Sequence, residues 1–163
     1  MGYRDHPAPG RSSQPAPRLR PPARFEWTRQ PGTGPGTPVL GTLAGAAVVE
    51  LGCGTGHNLA CLVARHGATG TGVDNDPAKI TRARAGYGHL PGIRFIHADA
   101  HRYLTAAEPG SADLVLSIFG AFSFTDPLPL LGAAARILRP GGHLAITLRA
   151  DDHHDTVVVL RRR

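Results

Sequence analysis

From Ala46 onward, short β-branched or leucine-rich runs alternate with stretches whose apolar residues recur every three or four positions. That alternation predicts βαβ units and a parallel sheet. Ala47-Val48-Val49-Glu50-Leu51 predicts the first strand, with glycines at 52, 54 and 56 behind it. Leu59, Leu62 and Val63 share one face of a helix that stops at Gly67. A second strand over 69–73 runs to Asp74, and Asp76-Pro77 supplies an N-cap with proline at the first helical position. That helix ends near Gly86. Ile93 to His97 predicts the third strand, leading to Asp99 and a short helix over 101–107. Asp113 to Ile118 forms the fourth strand. Asp126-Pro127 starts another helix, with Leu130, Leu131, Ala134, Ala135 and Leu138 on its apolar face. Pro140-Gly141-Gly142 then turns the chain into a fifth strand, His143 to Leu148. The pattern predicts an α/β fold, a doubly wound, mostly parallel sheet with helices on both faces.

The flanks differ. Nine of the fifteen prolines fall in the first 38 positions, where no apolar periodicity is sustained. Residues 1–24 read as a disordered, Pro/Arg-rich arm. In 25–45, Phe25 and Trp27 are costly to leave in water. This segment is either a lid over a ligand or a terminal cover for the sheet, and both readings stay open. The hydrophobic core must come from roughly 39–150, which is short but adequate for one sheet with helices, and the ligand-binding unit of alternating strands and helices from 46–148. In the tail, 149–163, Thr156-Val157-Val158-Val159-Leu160 is suited to return antiparallel against the fifth strand and cover an exposed edge.

A net charge of +6 and a pI near 10.3 raise the question of nucleic acid. Seventeen of the eighteen basic residues are arginine, concentrated in Arg4 to Arg29 and Arg161 to Arg163, without the interleaved aromatics of a stacking surface. Arg, Ala, Gly and Pro also share GC-rich codons, which offers a competing cause. No dedicated nucleic-acid site is expected. No apolar run approaches the ~20 residues of a membrane span, and no apolar stretch follows the N-terminal arginines. The expected compartment is the cytoplasm, with no membrane partner. Cys53 and Cys61 lie eight apart without a second pair, and read as buried free thiols rather than zinc ligands. Asp151-Asp152-His153-His154-Asp155 has a metal-binding composition, but adjacent ligands on a loop rarely converge on one ion. A solvated loop is the better reading, and no metal is expected.

In an open parallel sheet, ligands bind at the carboxyl ends of the strands where strand order reverses. The loop from Glu50 to Asn58 suits that position, because its glycines let backbone approach a ligand closely. Its spacing departs from the dinucleotide G-x-G-x-x-G. Counted from Gly52 the third glycine would fall on His57, and from Gly54 on Leu59. A pyrophosphate also gains nothing from the neighbouring Glu50 carboxylate. A nicotinamide-dependent dehydrogenase is therefore disfavoured. Asp74, closing the second strand, can accept from both hydroxyls of a ribose. Asp99, after the third, can accept from an adenine amino group. These features describe a nucleoside pocket without a polyphosphate cradle.

VVELGCGTG at 48–56 is similar to the first motif of class I, Rossmann-like S-adenosylmethionine-dependent methyltransferases. GVDNDP at 72–77 resembles their acidic second motif and HADA at 97–100 their third. ADLVLSIFGAF at 112–122 resembles the fourth-strand motif, and ILRPGGHLAITL at 137–148 the helix–turn–fifth-strand signature. All five stand in order and at family spacing. The resemblance implies a Rossmann-like fold, S-adenosyl-L-methionine as cofactor, and methyl transfer. By position it implies that Gly52, Gly54 and Gly56 line the methionine part of the cofactor. Glu50 would orient that loop or reach the amino group, and Asp74 would hold the ribose. Asn75 would lie beside the adenine, flanked by Asp99 and Ala100. Ser117 and Phe119 would face the transferable methyl, while Asp113 matches a structural residue remote from the pocket.

A sulfonium already activates its methyl, so the transfer needs chiefly an aligned acceptor. For an oxygen acceptor, His57, His97 and His101 are the nearest candidate bases, each better read as a loop or strand-end histidine; no catalytic residue is assigned. Amino-directed DNA methyltransferases resemble one another in an Asn/Asp-Pro-Pro-aromatic motif where Ser117-Ile118-Phe119-Gly120 stands here. Neither cysteine lies where a cytosine-carbon enzyme needs its nucleophile. A small-molecule acceptor is the remaining expectation. The family fold continues through sixth and seventh strands, whereas 15 residues follow Leu148, so a short or C-terminally truncated form with incomplete C-terminal strands is expected. The alternative is a non-catalytic module that binds the cofactor or a partner chain without turnover, with self-association through the open sheet edge.

Overall fold

A computed structural model describes residues 18–150 and 154–163. Most of the proposed N-terminal arm, 1–17, and Asp151, Asp152 and His153 of the acidic loop lie outside the described residues. Strands and helices alternate as β1 (Ala47–Leu51), α1 (His57–His66), β2 (Thr69–Asp74), α2 (Pro77–Tyr87), β3 (Ile93–His97), α3 (Ala100–Ala106), β4 (Ala112–Ile118), α4 (Pro127–Ile137), β5 (Leu138–Arg149) and β6 (Asp155–Arg161). They build one sheet in the order β3-β2-β1-β4-β5-β6. Every pairing is parallel except the last, in which β6 returns antiparallel along β5 from Arg149↔Asp155 to His143↔Arg161. Strand order reverses between β1 and β4, which places a crevice above Leu51 and Ile118.

Period-two alternation along the strands divides the core. Val48, Leu114, Leu116 and Ala145 point to one face, where they pack with Leu59 and Leu62 of α1 and Ile80, Ala83 and Tyr87 of α2. Val49, Leu51, Val115, Leu144 and Ile146 point to the other, against Leu104 of α3 and Leu130, Ala134 and Ile137 of α4. The capping chemistry is as the sequence suggests. Asp76 accepts from the backbone of Ala78 and Lys79, and Asp126 from Leu128, with proline at the start of each helix.

The end of α4 is a correction. Its buried face is Leu130, Ala134 and Ile137, while Ala135 is exposed. Leu138 opens β5, paired with Ala112 rather than extending the helical face. Pro140 supplies the reason: it pushes Arg139 before it out of the α region, and a helix usually ends at or before such a residue. Pro140-Gly141-Gly142 is also no free turn. It lies within β5 as an irregularity, because Ala112 faces Leu138 while Leu114 already faces His143.

The segment before β1 packs on the α1 face. Phe25 and Trp27 are buried there with Leu40 and Leu43, their rings edge to face at 4.9 Å and 71°. Asn58 on α1 fixes the strand-like backbone of Glu26 from both sides, accepting from its N–H at 3.0 Å and donating to its carbonyl at 2.8 Å. No helix among the described residues is long and apolar enough to cross a membrane.

Candidate functional site

The crevice at the strand-order reversal is built by close backbone approach. A Cβ on Gly52 would stand 2.5 Å from Gly120 Cα, so the β1–α1 loop and the segment after β4 meet only because both residues are glycine. The same loop is stitched to the end of β2. Gly52 and Cys53 both donate to the Val73 carbonyl, at 2.7 and 3.0 Å. Gly54 N–H donates to Asp74 Oδ2 at 2.8 Å, and Asp74 Oδ1 accepts from Asp76 N–H at 2.9 Å. Asp74 thus holds the loop while each oxygen retains capacity for a further donor.

Two connected hollows open above these residues. The wider, of about 560 Å³, has Glu50, Gly52, Gly54 and His57 in its wall, and on its outer side Arg24, Glu26 and Arg29 of the N-terminal segment. The narrower, of about 130 Å³, is walled by Asp74, Asn75, Asp99, Ala100 and the 119–121 segment. Gly52, Lys79 and Phe119 belong to both. Asp99 also caps α3, its Oδ1 accepting from Arg102 N–H at 2.8 Å.

Glu50 is the electrostatic centre of the wider hollow. It is 3% exposed, and its Oε2 has no hydrogen-bond partner among the described residues. Burial pushes its pKa up to about 8, the Asp74 carboxylate adds to the rise, and a hydrogen bond from the Leu59 backbone opposes it. Burial also pushes the Cys53 thiol up, reinforced by Glu50 and Asp74, so this cysteine is held as an unreactive thiol. Cys61 is buried and free as well, its thiol pushed up by burial.

Not every residue singled out in the sequence reaches the hollows. Glu50, Gly52, Gly54, Asp74, Asn75, Asp99 and Ala100 line them. Gly56 instead caps α1 and abuts the Phe95 ring. Ser117 is fully buried, and its Oγ accepts from Phe122 N–H at 3.3 Å, anchoring the turn after β4. Phe119 does line both hollows, held at φ 49°, a backbone conformation rare for a bulky residue. Of the histidines, His57 lines the wider hollow with Nδ1 2.8 Å from Thr55 Oγ1. His97 lies outside, with Nε2 3.1 Å from the Asn75 carbonyl, and His101 is exposed elsewhere. Asp113 sits at the start of β4, accepting from Ala47 N–H and pairing with Arg139. Lys79 was not anticipated. As the chain's one lysine, on the first turn of a helix, it carries no pattern that separates it from a solvated surface residue. No group of metal-ligating side chains converges among the described residues.

The methyltransferase-domain family model matches residues 49–146, from the glycine loop to the fifth strand. The chain belongs to the class I, Rossmann-like S-adenosylmethionine-dependent methyltransferases. It is 36% identical over 104 residues to a phthiotriol/phenolphthiotriol dimycocerosates methyltransferase of Mycobacterium leprae, covering 63% of this chain and 37% of that protein. It is 38% identical over 110 residues to trans-aconitate 2-methyltransferase of Deinococcus radiodurans, covering 67% and 40%. Among solved structures, an arsenic(III) S-adenosylmethionine methyltransferase of Chlamydomonas reinhardtii superposes with a TM-score of 0.56 at 28% identity, covering 65% of this chain and 39% of that one. This methyltransferase chain spans less than half the length of these relatives.

The family's cofactor is S-adenosylmethionine, and two features of the hollows fit it. The orphaned Glu50 Oε2 asks for a buried cationic donor, which an α-ammonium group is. A Cβ on Gly54 would meet nothing within 4 Å, so this loop residue leaves open space that a ligand would fill.

Proposed function

We propose that this methyltransferase chain binds S-adenosylmethionine across the two hollows and transfers its methyl group to a small-molecule acceptor. The observation carrying the reading is the convergence of Glu50, Gly54 and Asp74, two acids and a bare backbone turn, on one crevice at the sheet's topological switch point. In this reading Glu50 takes the ammonium, and Gly52 and Gly54 admit the methionine chain. Asp74 accepts from the ribose hydroxyls with the lone pairs its backbone donors leave. Asn75 and Ala100 flank the adenine, and the Asp99 oxygen not engaged by α3 receives its amino group.

Bound there, the cofactor supplies a methyl already activated by its sulfonium. The chain's own contribution is alignment and dryness. Phe119 stands at the mouth, where its ring excludes water beside the reacting position. His57 is the one histidine among the described residues with access to the wider hollow, available to an acceptor that must lose a proton. Relatives named for trans-aconitate and for ubiquinone biosynthesis support an acceptor of small-molecule size.

Paired calorimetric titration with S-adenosylhomocysteine and NADH tests the reading. The wild-type chain is expected to bind the first and not the second, and Asp74→Ala to weaken S-adenosylhomocysteine severely. Wild type that ignores S-adenosylhomocysteine would end it.

A further inference from the structure

Beside the two hollows lies a third cavity, of about 690 Å³, that the cofactor reading leaves unused. Its walls include Phe119, Phe122, Ser123, Phe124 and Leu148; Phe119 is shared with both parts of the cofactor cleft, Phe124 with the narrower and Arg29 with the wider. Among the described residues, the charged groups in the lining are two arginines, Arg29 and Arg149, with no carboxylate beside them. Arg29 holds Asp155, its Nη2 at 2.9 Å from Oδ1, so its charge is partly answered already. Arg149 is exposed at the end of β5 and makes no hydrogen bond or ion pair among the described residues. Phe124 is 82% exposed, so its ring is open to a ligand entering the cavity it lines. The turn carrying these rings is not slack. Ser117 Oγ anchors it at Phe122 N–H, and Phe119 N–H donates to the Thr147 carbonyl at 3.0 Å.

From these features we infer that the third cavity is the acceptor subsite, and that the acceptor is an apolar or aromatic molecule bearing one anionic group. Charge complementarity and continuity with the cofactor cleft both point to that occupant. The rings of Phe122 and Phe124 take the apolar body, Arg149 takes the anion, and Phe119 puts the acceptor next to the transferable methyl. A polycation would meet like charge from the described residues of the lining. An apolar anion satisfies the aromatic walls and the guanidinium together.

The inference rests on the cofactor reading, and one set of measurements separates the two. With the full chain saturated by S-adenosylhomocysteine, ligand-observed NMR compares hydrocinnamate, its neutral amide hydrocinnamamide, and phenyl phosphate. Hydrocinnamate is expected to bind roughly three- to tenfold more tightly than the amide, the margin of a partly exposed charge-assisted contact. Arg149→Gln should erase that margin while leaving S-adenosylhomocysteine affinity unchanged, since Arg149 lines neither part of the cofactor cleft. Phe124→Ala should weaken acid and amide to the same degree. Both positions are exposed, so neither variant threatens folding. Phenyl phosphate tells a carboxylate acceptor from a phosphate one by its rank against hydrocinnamate. Equal binding of acid and amide, or acid binding untouched by Arg149→Gln, would overturn the subsite while leaving the cofactor reading intact. Failure of S-adenosylhomocysteine itself to bind would remove both.

Discussion

Gly54 N–H donates to Asp74 Oδ2 at 2.8 Å across a separation of 20 residues, so the turn proposed to admit the cofactor and the acid proposed for its ribose hold one another in place. Replacing Asp74 therefore does two things. Asp74→Asn keeps one acceptor oxygen but turns an amide N–H toward a backbone donor. It is expected to lower S-adenosylhomocysteine affinity at least roughly tenfold and stability by about 1–3 kcal/mol, the cost of an unmet buried donor. Calorimetry and urea unfolding read the two effects separately, and unchanged affinity would remove Asp74 from the site.

Gly54 and Gly52 make a contrasting pair. Both have left-handed backbone, at φ 55° and 75°. Alanine at 54 meets no protein atom within 4 Å, so its cost to folding should be backbone strain alone, about 1–2 kcal/mol, while its methyl intrudes on the cofactor. Alanine at 52 collides with the Gly120 backbone and should destabilise the fold by more. Melting curves with and without S-adenosylhomocysteine distinguish them: G54A should lose most of the ligand-induced shift while its own melting temperature falls by only roughly 2–8 °C, less than that of G52A.

Glu50 gives the empty protein a pH signature. Its folded pKa, about 8, lies above the unfolded value of 4.5, so between these two the folded chain binds more protons than the unfolded one. The Glu50 contribution to stability is then full below pH 4.5 and is lost as pH rises toward 8. Wild type should lose stability across this window relative to Glu50→Gln, measured as urea midpoints against pH. If the bound ammonium holds Glu50 ionised, S-adenosylhomocysteine binding should release a proton below pH 8, seen as a buffer-dependent heat. Parallel midpoint curves would contradict the assignment.

Trp27 tests how far the N-terminal segment belongs to the folded unit. It is 1% exposed and packs edge to face against Phe25. Trp27→Ala should cost roughly 3–5 kcal/mol, as truncation of a buried aromatic does. Far-UV circular dichroism in urea is the readout, since the chain's one tryptophan is the residue removed. A loss under 1 kcal/mol, roughly what an exposed position would give, would mean the segment merely rests on the sheet.

What the sequence disclosed follows from where the physics is local. Alternating valines and leucines announce strands because burial in a two-faced sheet demands them, and Asp76-Pro77 and Asp126-Pro127 announce helix starts because a cap acts within three residues. Leu138 misleads because its spacing from Ala134 is helical, while its burial comes from pairing with Ala112, 26 positions earlier in the chain. Ser117 sits at a strand end like the site acids, but strand parity turns it inward, where it anchors Phe122. Lys79, Phe124 and Arg149 could not be read, because an exposed side chain leaves no periodic trace of the cavity it borders.

Arg29 and Asp155 are 126 positions apart, yet the backbone N–H and guanidinium of the first grip both oxygens of the second. The outer wall of the crevice is therefore tied to the outermost strand, on which Val157 and Val159 also pack toward the cluster holding Phe25 and Trp27. A substitution that loosens that strand is thus expected to loosen the wall of the crevice with it.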